Sequence, residues 1–140
     1  MVRRFGSKEQ LFGEVAARRA RDIRALRDHV SEGDLEGALE SLVQSYETWG
    51  DDVLHLLAQE RRTDTIGDGV RSGREFHQLW VKRVFGPHLA KLPAVARNRR
   101  LAQLTAVTDV YTWKILRRDL GLSREEVAGS LHELISTIIG

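Results

Sequence analysis

The side chains of this sequence that could move a proton or hold a metal are five histidines, His29, His55, His77, His88 and His132, and the carboxylates near them. None of the five falls in an HExxH pattern or pairs with another histidine at i, i+4, the spacing that places two imidazoles on one helix face to share a zinc ion. Asp51 and His55 are four apart and would face one another on a helix, but two ligands do not make a metal site. Asp51 and Asp52 are adjacent, so on a helix they point in different directions and cannot share a proton. No GxSxG elbow, Walker loop or GxGxxG stands in the required context. Gly67-Asp68-Gly69 lacks the further oxygen ligands and closing glutamate of a calcium loop. With no cysteine there is no thiolate nucleophile. The expectation is a protein that binds rather than catalyses, with no metal and no other cofactor.

What the chain does offer is a wall. Trp49, His55, Gln59 and Glu60 fall on one stretch, and Phe76, His77, Trp80 and Val84 on the next. Together they are a mainly apolar set with a few polar groups, the usual lining of a small-molecule pocket. Trp113, from a later stretch, joins them, giving a candidate site for a small apolar or aromatic effector at Trp49, His55, Gln59, Phe76, His77, Trp80, Val84 and Trp113. The plainer alternative for each residue is a place in an ordinary core.

The elements that must position this wall read as helices. Gly6 and Ser7 form an expected corner, with Ser7 and Gln10 as a capping box opening a long helix. From Ser7 to about Val30, Phe12, Ala16, Ile23, Leu26 and Val30 repeat at spacings of three, four and seven. Gly33 ends that helix and Asp34 caps the next, which carries Leu35, Leu39, Leu42, Val43 and Tyr46 to about Thr48. Gly50-Asp51-Asp52 predicts an interruption, then a short helix to about Arg62, and Thr63 to Asp68 predicts a loop. A helix from about Gly69 to Ala90 should be distorted at Gly86-Pro87, since Pro87 lacks an N–H. One long helix is expected from Ala94 to Leu120. After Gly121, a capping box at Ser123 and Glu126 opens the last helix, with Val127, Leu131, Leu134, Ile135, Ile138 and Ile139 on its apolar face. No segment alternates cleanly enough for a strand.

With 140 residues, 41% of them hydrophobic and 30% charged, one domain with a substantial core is expected. No run of apolar residues is long enough for a membrane span, and no secretory leader stands at the start, so a cytoplasmic protein without a membrane partner is expected. A net charge of only +2 argues against global nucleic-acid binding. The first thirty residues nonetheless hold eight basic groups against four acidic ones. That basic end would suit a phosphate-facing side, or simply a solvated helix with internal ion pairs.

Two strings carry a family likeness. Arg4-Phe5-Gly6-Ser7-Lys8-Glu9-Gln10-Leu11-Phe12 resembles the segment joining the recognition helix to the fourth helix in tetracycline-repressor-like (TetR-family) transcription regulators. Asp109-Val110-Tyr111-Thr112-Trp113-Lys114-Ile115-Leu116-Arg117-Arg118-Asp119-Leu120-Gly121-Leu122-Ser123 is similar to the ending of the penultimate helix in a subgroup of that family. The resemblance implies an all-α antiparallel bundle of about six helices. Residues 1–6 would be a remnant of the recognition helix of a helix-turn-helix reading head, and residues 7–140 the effector-binding and dimerisation domain. It implies Arg3, Arg4 and Lys8 beside the DNA backbone, although Val2 stands where the family commonly has a tyrosine. It also implies a homodimer whose last two helices pair across a two-fold axis through Leu104, Tyr111, Ile115, Val127, Leu131, Leu134, Ile135 and Ile138. The implied function is a ligand-responsive regulator, such as a repressor, that reaches DNA only through helices missing from this chain. The alternative is a truncated dimerisation partner that binds no DNA by itself.

Overall fold

The computed structural model describes the backbone of residues 2–140 and the side chains of residue 8 and residues 10–140. Within them the chain is an all-α bundle, with no strand. Its elements are α1 (Val2–Asp28), α2 (Leu35–Ala58), α3 (Asp64–Leu89), α4 (Ala94–Val107), α5 (Val110–Lys114), a π-helical turn (Ile115–Asp119) and α6 (Arg124–Ile139). Helix α1 packs on α2 and α3, while α6 packs on α2 and α4.

Two corners form as their local chemistry dictates. Gly33 adopts a φ of 77°, a conformation that disfavours a Cβ, and Asp34 then accepts from the Gly37 N–H at 3.0 Å. The Gly33 N–H donates to the Val84 carbonyl at 2.8 Å, so this corner is also pinned to α3. At the far end Gly121 has a φ of 71°, and Ser123 accepts from the Glu126 N–H at 3.1 Å.

Four expectations about element boundaries are corrected. The corner at Gly6 and Ser7 is absent: α1 runs unbroken over 27 residues, since one interior glycine costs only about 1 kcal/mol and good helix formers flank it. Gly50 does not interrupt α2 either. It is buried against Trp113, whose ring carbon would lie 2.7 Å from a Cβ built at position 50. Helix α3 starts at Asp64, not Gly69, because Thr63 caps it by accepting from the Ile66 N–H at 3.1 Å. It also runs through Pro87 to Leu89, Pro87 falling in its last turn. Finally, the helix expected from Ala94 to Leu120 is broken at Thr108 and Asp109. The Thr108 hydroxyl donates to the Leu104 carbonyl at 2.6 Å, and Asp109 caps α5 by accepting from the Tyr111 N–H at 2.9 Å. Both side chains compete with the backbone for helix bonds.

The core gathers Leu42, Val84, Phe85, Leu89, Trp113 and their neighbours, all fully buried. Leu104, Val127, Leu131 and Ile135 belong to it as well. These four were expected at a dimer seam and are instead corrected to the protomer's own interior, because α6 lays its apolar stripe against α2 and α4. Of the same set, Tyr111, Ile115 and Leu134 are exposed and Ile138 is half-buried.

Candidate functional site

Three helices leave a cavity between them. It has a volume of about 390 Å³ and lies between α1, α2 and α3, with the first residues of α5 closing one side. From α1 come Phe12, Val15, Ile23 and the arginines Arg19, Arg24 and Arg27; from α2 come Tyr46, Val53, His55, Leu56 and Leu57. The α3 wall is thin, since Gly69 and Gly73 line it and a Cβ at either would meet nothing within 4 Å. A glycine in a helix interior costs about 1 kcal/mol relative to alanine. Part of the space therefore exists because Gly69 and Gly73, one turn apart on α3, present no side chain to it.

The inner end of the cavity is polar and closely connected. Arg27 is 3% exposed, and its Nη2 donates to His77 Nδ1 at 2.7 Å. An arginine has no lone pair to offer, so Nδ1 must be the acceptor, and the neutral imidazole then carries its proton on Nε2. That N–H reaches the Thr105 carbonyl at 3.2 Å and the Thr108 hydroxyl oxygen at 3.1 Å. The Thr108 hydroxyl proton is already given to Leu104, so the direction of every bond in the chain is set. Tyr46 completes the cluster by donating to the Thr108 carbonyl at 2.7 Å. Burial, reinforced by the adjacent Arg27 charge, pulls the His77 pKa down to about 4. Burial likewise pushes the Tyr46 phenol up from its ordinary value and draws Arg27 down from its own.

Arg27 is the least satisfied of these groups. Its Nε has no partner, and among the described residues no carboxylate lies within ion-pair distance of it. Compensation comes from aromatic faces: the guanidinium carbon lies 4.1 Å from the Trp80 ring centre and 5.4 Å from that of Phe76. Burying a cation without a counter-ion costs several kcal/mol, so Arg27 is an expensive residue to keep here. The other cavity arginines are better supplied. Arg19 meets Asp52 at 3.2 Å, and Arg74 grips Glu60 with two bonds of 2.9 and 3.1 Å. Arg24 donates to the Ser72 hydroxyl at 2.7 Å.

Of the expected ligand wall, His55, Phe76 and His77 line the cavity. The other five do not. Trp80, Val84 and Trp113 are corrected to fully buried core positions, with the Trp80 N–H tied to the Arg27 carbonyl at 3.0 Å and the Trp113 N–H to Glu47 at 2.8 Å. Trp49 is half-buried on α2 outside the lining, and Gln59, at the α2 C-cap, hydrogen-bonds His55 at 2.7 Å from beyond the cavity. The α1 contribution was missed. A signal for it existed, because Arg27 follows Ile23 by four residues and so places a charge on the apolar stripe of α1.

Asp51 and Asp52 diverge as expected, Asp51 to Arg118 at 2.9 Å and Asp52 to Arg19. Among the described residues no three metal-ligating side chains come together, and no helix is long and apolar enough to cross a membrane. The expected DNA contacts Arg3 and Arg4 lie outside the described side chains, and Lys8 is exposed. No protein-family model, curated protein or solved structure matches the chain, so its function has to be read from the cavity and the helices that frame it.

Proposed function

We propose that this chain is the effector-binding and dimerising part of a ligand-responsive transcriptional regulator of the TetR type, with no enzymatic activity. The observation that carries this reading is the cavity between α1, α2 and α3, whose α3 wall is left bare by Gly69 and Gly73. In the family that the N-terminal string resembles, the helix corresponding to α1 follows the DNA-reading unit. A guest wedged against α1 would bias the posture of a rod about 40 Å long, at 1.5 Å per residue over 27 residues. The shift it can impose is bounded by its differential affinity for the two postures. A homodimer fits the same reading, with the exposed Tyr111, Ile115 and Leu134 offering apolar contact beside α5 and on α6.

A thermal-shift screen with small apolar and aromatic compounds tests the cavity, since a guest that binds only the folded chain must raise its melting temperature. Gly73→Leu is the matched variant: its side chain enters open space, so the fold should hold while the shift disappears. No stabilising compound at all, or shifts that Gly73→Leu leaves untouched, would sink the reading. Sedimentation of the same protein tests the dimer, and a monomer at all concentrations would remove that part.

A further inference from the structure

The cavity's charges do not balance. Its lining holds Arg19, Arg24, Arg27 and Arg74 against Asp52 and Asp109. Arg19 is taken by Asp52, and Arg74 by Glu60 from outside the lining. Asp109 spends one carboxylate oxygen on the Tyr111 N–H at 2.9 Å. Arg24 and Arg27 are left with neutral acceptors only, Ser72 and His77. Of the five N–H donors a guanidinium carries, Arg27 uses one on His77, and its Nε has no partner although the residue is 3% exposed.

The rest of the space has the opposite character. Val15, Ile23, Val53, Leu56 and Leu57 face it from α1 and α2. The aromatic plates above Arg27 hold its guanidinium in place without using up its in-plane donors. One end of the cavity thus holds an arginine fork short of an acceptor, and the wall between the paired charges is mainly apolar.

From this asymmetry we infer that the cavity takes an amphipathic organic anion, a carboxylate seated on Arg27 with its apolar body lying between α1 and α2. A carboxylate matches the planar fork with two parallel bonds, and such charge-assisted pairs are about twice as strong as neutral ones. Arg24, from the preceding turn of α1, adds favourable charge on the same side. The volume of about 390 Å³ lies at the small end of ligand sites, which suits a medium-chain or two-ring acid. This assignment rests on the effector-cavity reading above and narrows it to one chemical class.

The test titrates the whole chain with four probes, decanoate and decanamide, naphthoate and naphthamide, and follows tryptophan emission, for which Trp80 is a reporter 4.1 Å from the guanidinium. Each acid should bind about tenfold or more tightly than its amide. Arg27→Met should abolish that preference and keep amide binding, whereas Arg71→Met, on α3 outside the lining and paired with Asp68 at 2.8 Å, should leave the preference intact. If Arg27→Met does not fold, Arg27→Lys should retain a weakened preference, and the wild-type ratio depends on no variant. Equal binding of acid and amide by the wild-type chain would overturn the anion inference and leave the cavity reading standing. A preference that survives in folded Arg27→Met would overturn the assignment to Arg27. No binding of any of the four, together with a blank apolar screen, would remove the inference and the effector reading alike.

Discussion

His77 should make the stability of this protein depend on pH in a calculable way. Its imidazole is 7% exposed, sits 2.7 Å from a permanent cation and titrates at about 4, against about 6.5 in an unfolded chain. Above about pH 6.5 it is neutral in both states and costs nothing. As the pH falls from there towards 4, the unfolded chain binds the proton and the folded one does not, so stability is lost through that window and levels off below it. At 1.36 kcal/mol per unit, the full depression corresponds to about 3 kcal/mol, of which about 1 kcal/mol should be gone by about pH 5.5. The matched variant is His77→Gln, whose amide can accept from Arg27 and donate to Thr105 without ever charging. Urea unfolding followed by circular dichroism at several pH values would give both curves, and carboxylates elsewhere cancel in their difference. Wild type should lose about 3 kcal/mol more than His77→Gln on going from about pH 7 to below 4. Parallel curves would show that His77 charges as easily folded as unfolded, and the assigned hydrogen-bond directions would then be wrong.

Three further substitutions probe the fold and its polar cluster. Gly50→Ala should destabilise by about 1–2 kcal/mol despite the gain in helix propensity, because the new methyl meets the immobile Trp113 ring at 2.7 Å. Gly129→Ala on α6, which meets nothing, should instead stabilise by up to about 1 kcal/mol, and denaturant midpoints of the pair decide the matter. Thr108→Val keeps the shape but deletes the hydroxyl that links Leu104 to His77, and should cost about 1–3 kcal/mol; a neutral outcome in calorimetry would mean that this hydroxyl does not order the cluster.

Local chemistry was legible in the sequence, and long-range packing was not. The Gly33-Asp34 and Gly121-Ser123 corners follow from residues within a few positions of one another: both glycines turn left-handed and both caps accept as read, with only the Ser123 half of the expected capping box formed. Gly50 misleads because its reason lies on α5: the same lack of a side chain that suggests a break also permits Trp113 to approach. The wall of the cavity was half legible for a similar reason. Phe76 and His77 face inward, yet Trp80, one turn further along α3, rotates into the core, and only the placement of α1 decides where that division falls. Arg27 stood visible as a charge on an apolar stripe. Its aromatic plates and its histidine, about fifty residues away, did not.

The two cavity glycines of α3 have a last implication. A guest lying against Gly69 and Gly73 would rest on peptide backbone, a surface that looks the same to almost any hydrocarbon. Discrimination between rival guests would then fall to the side chains around that strip, Arg27 and Ile23 on α1, Val53 and Leu56 on α2, and Val70 and Phe76 further along α3. Drift in chemical taste among related chains would leave its marks there, while the glycine wall could stay blank.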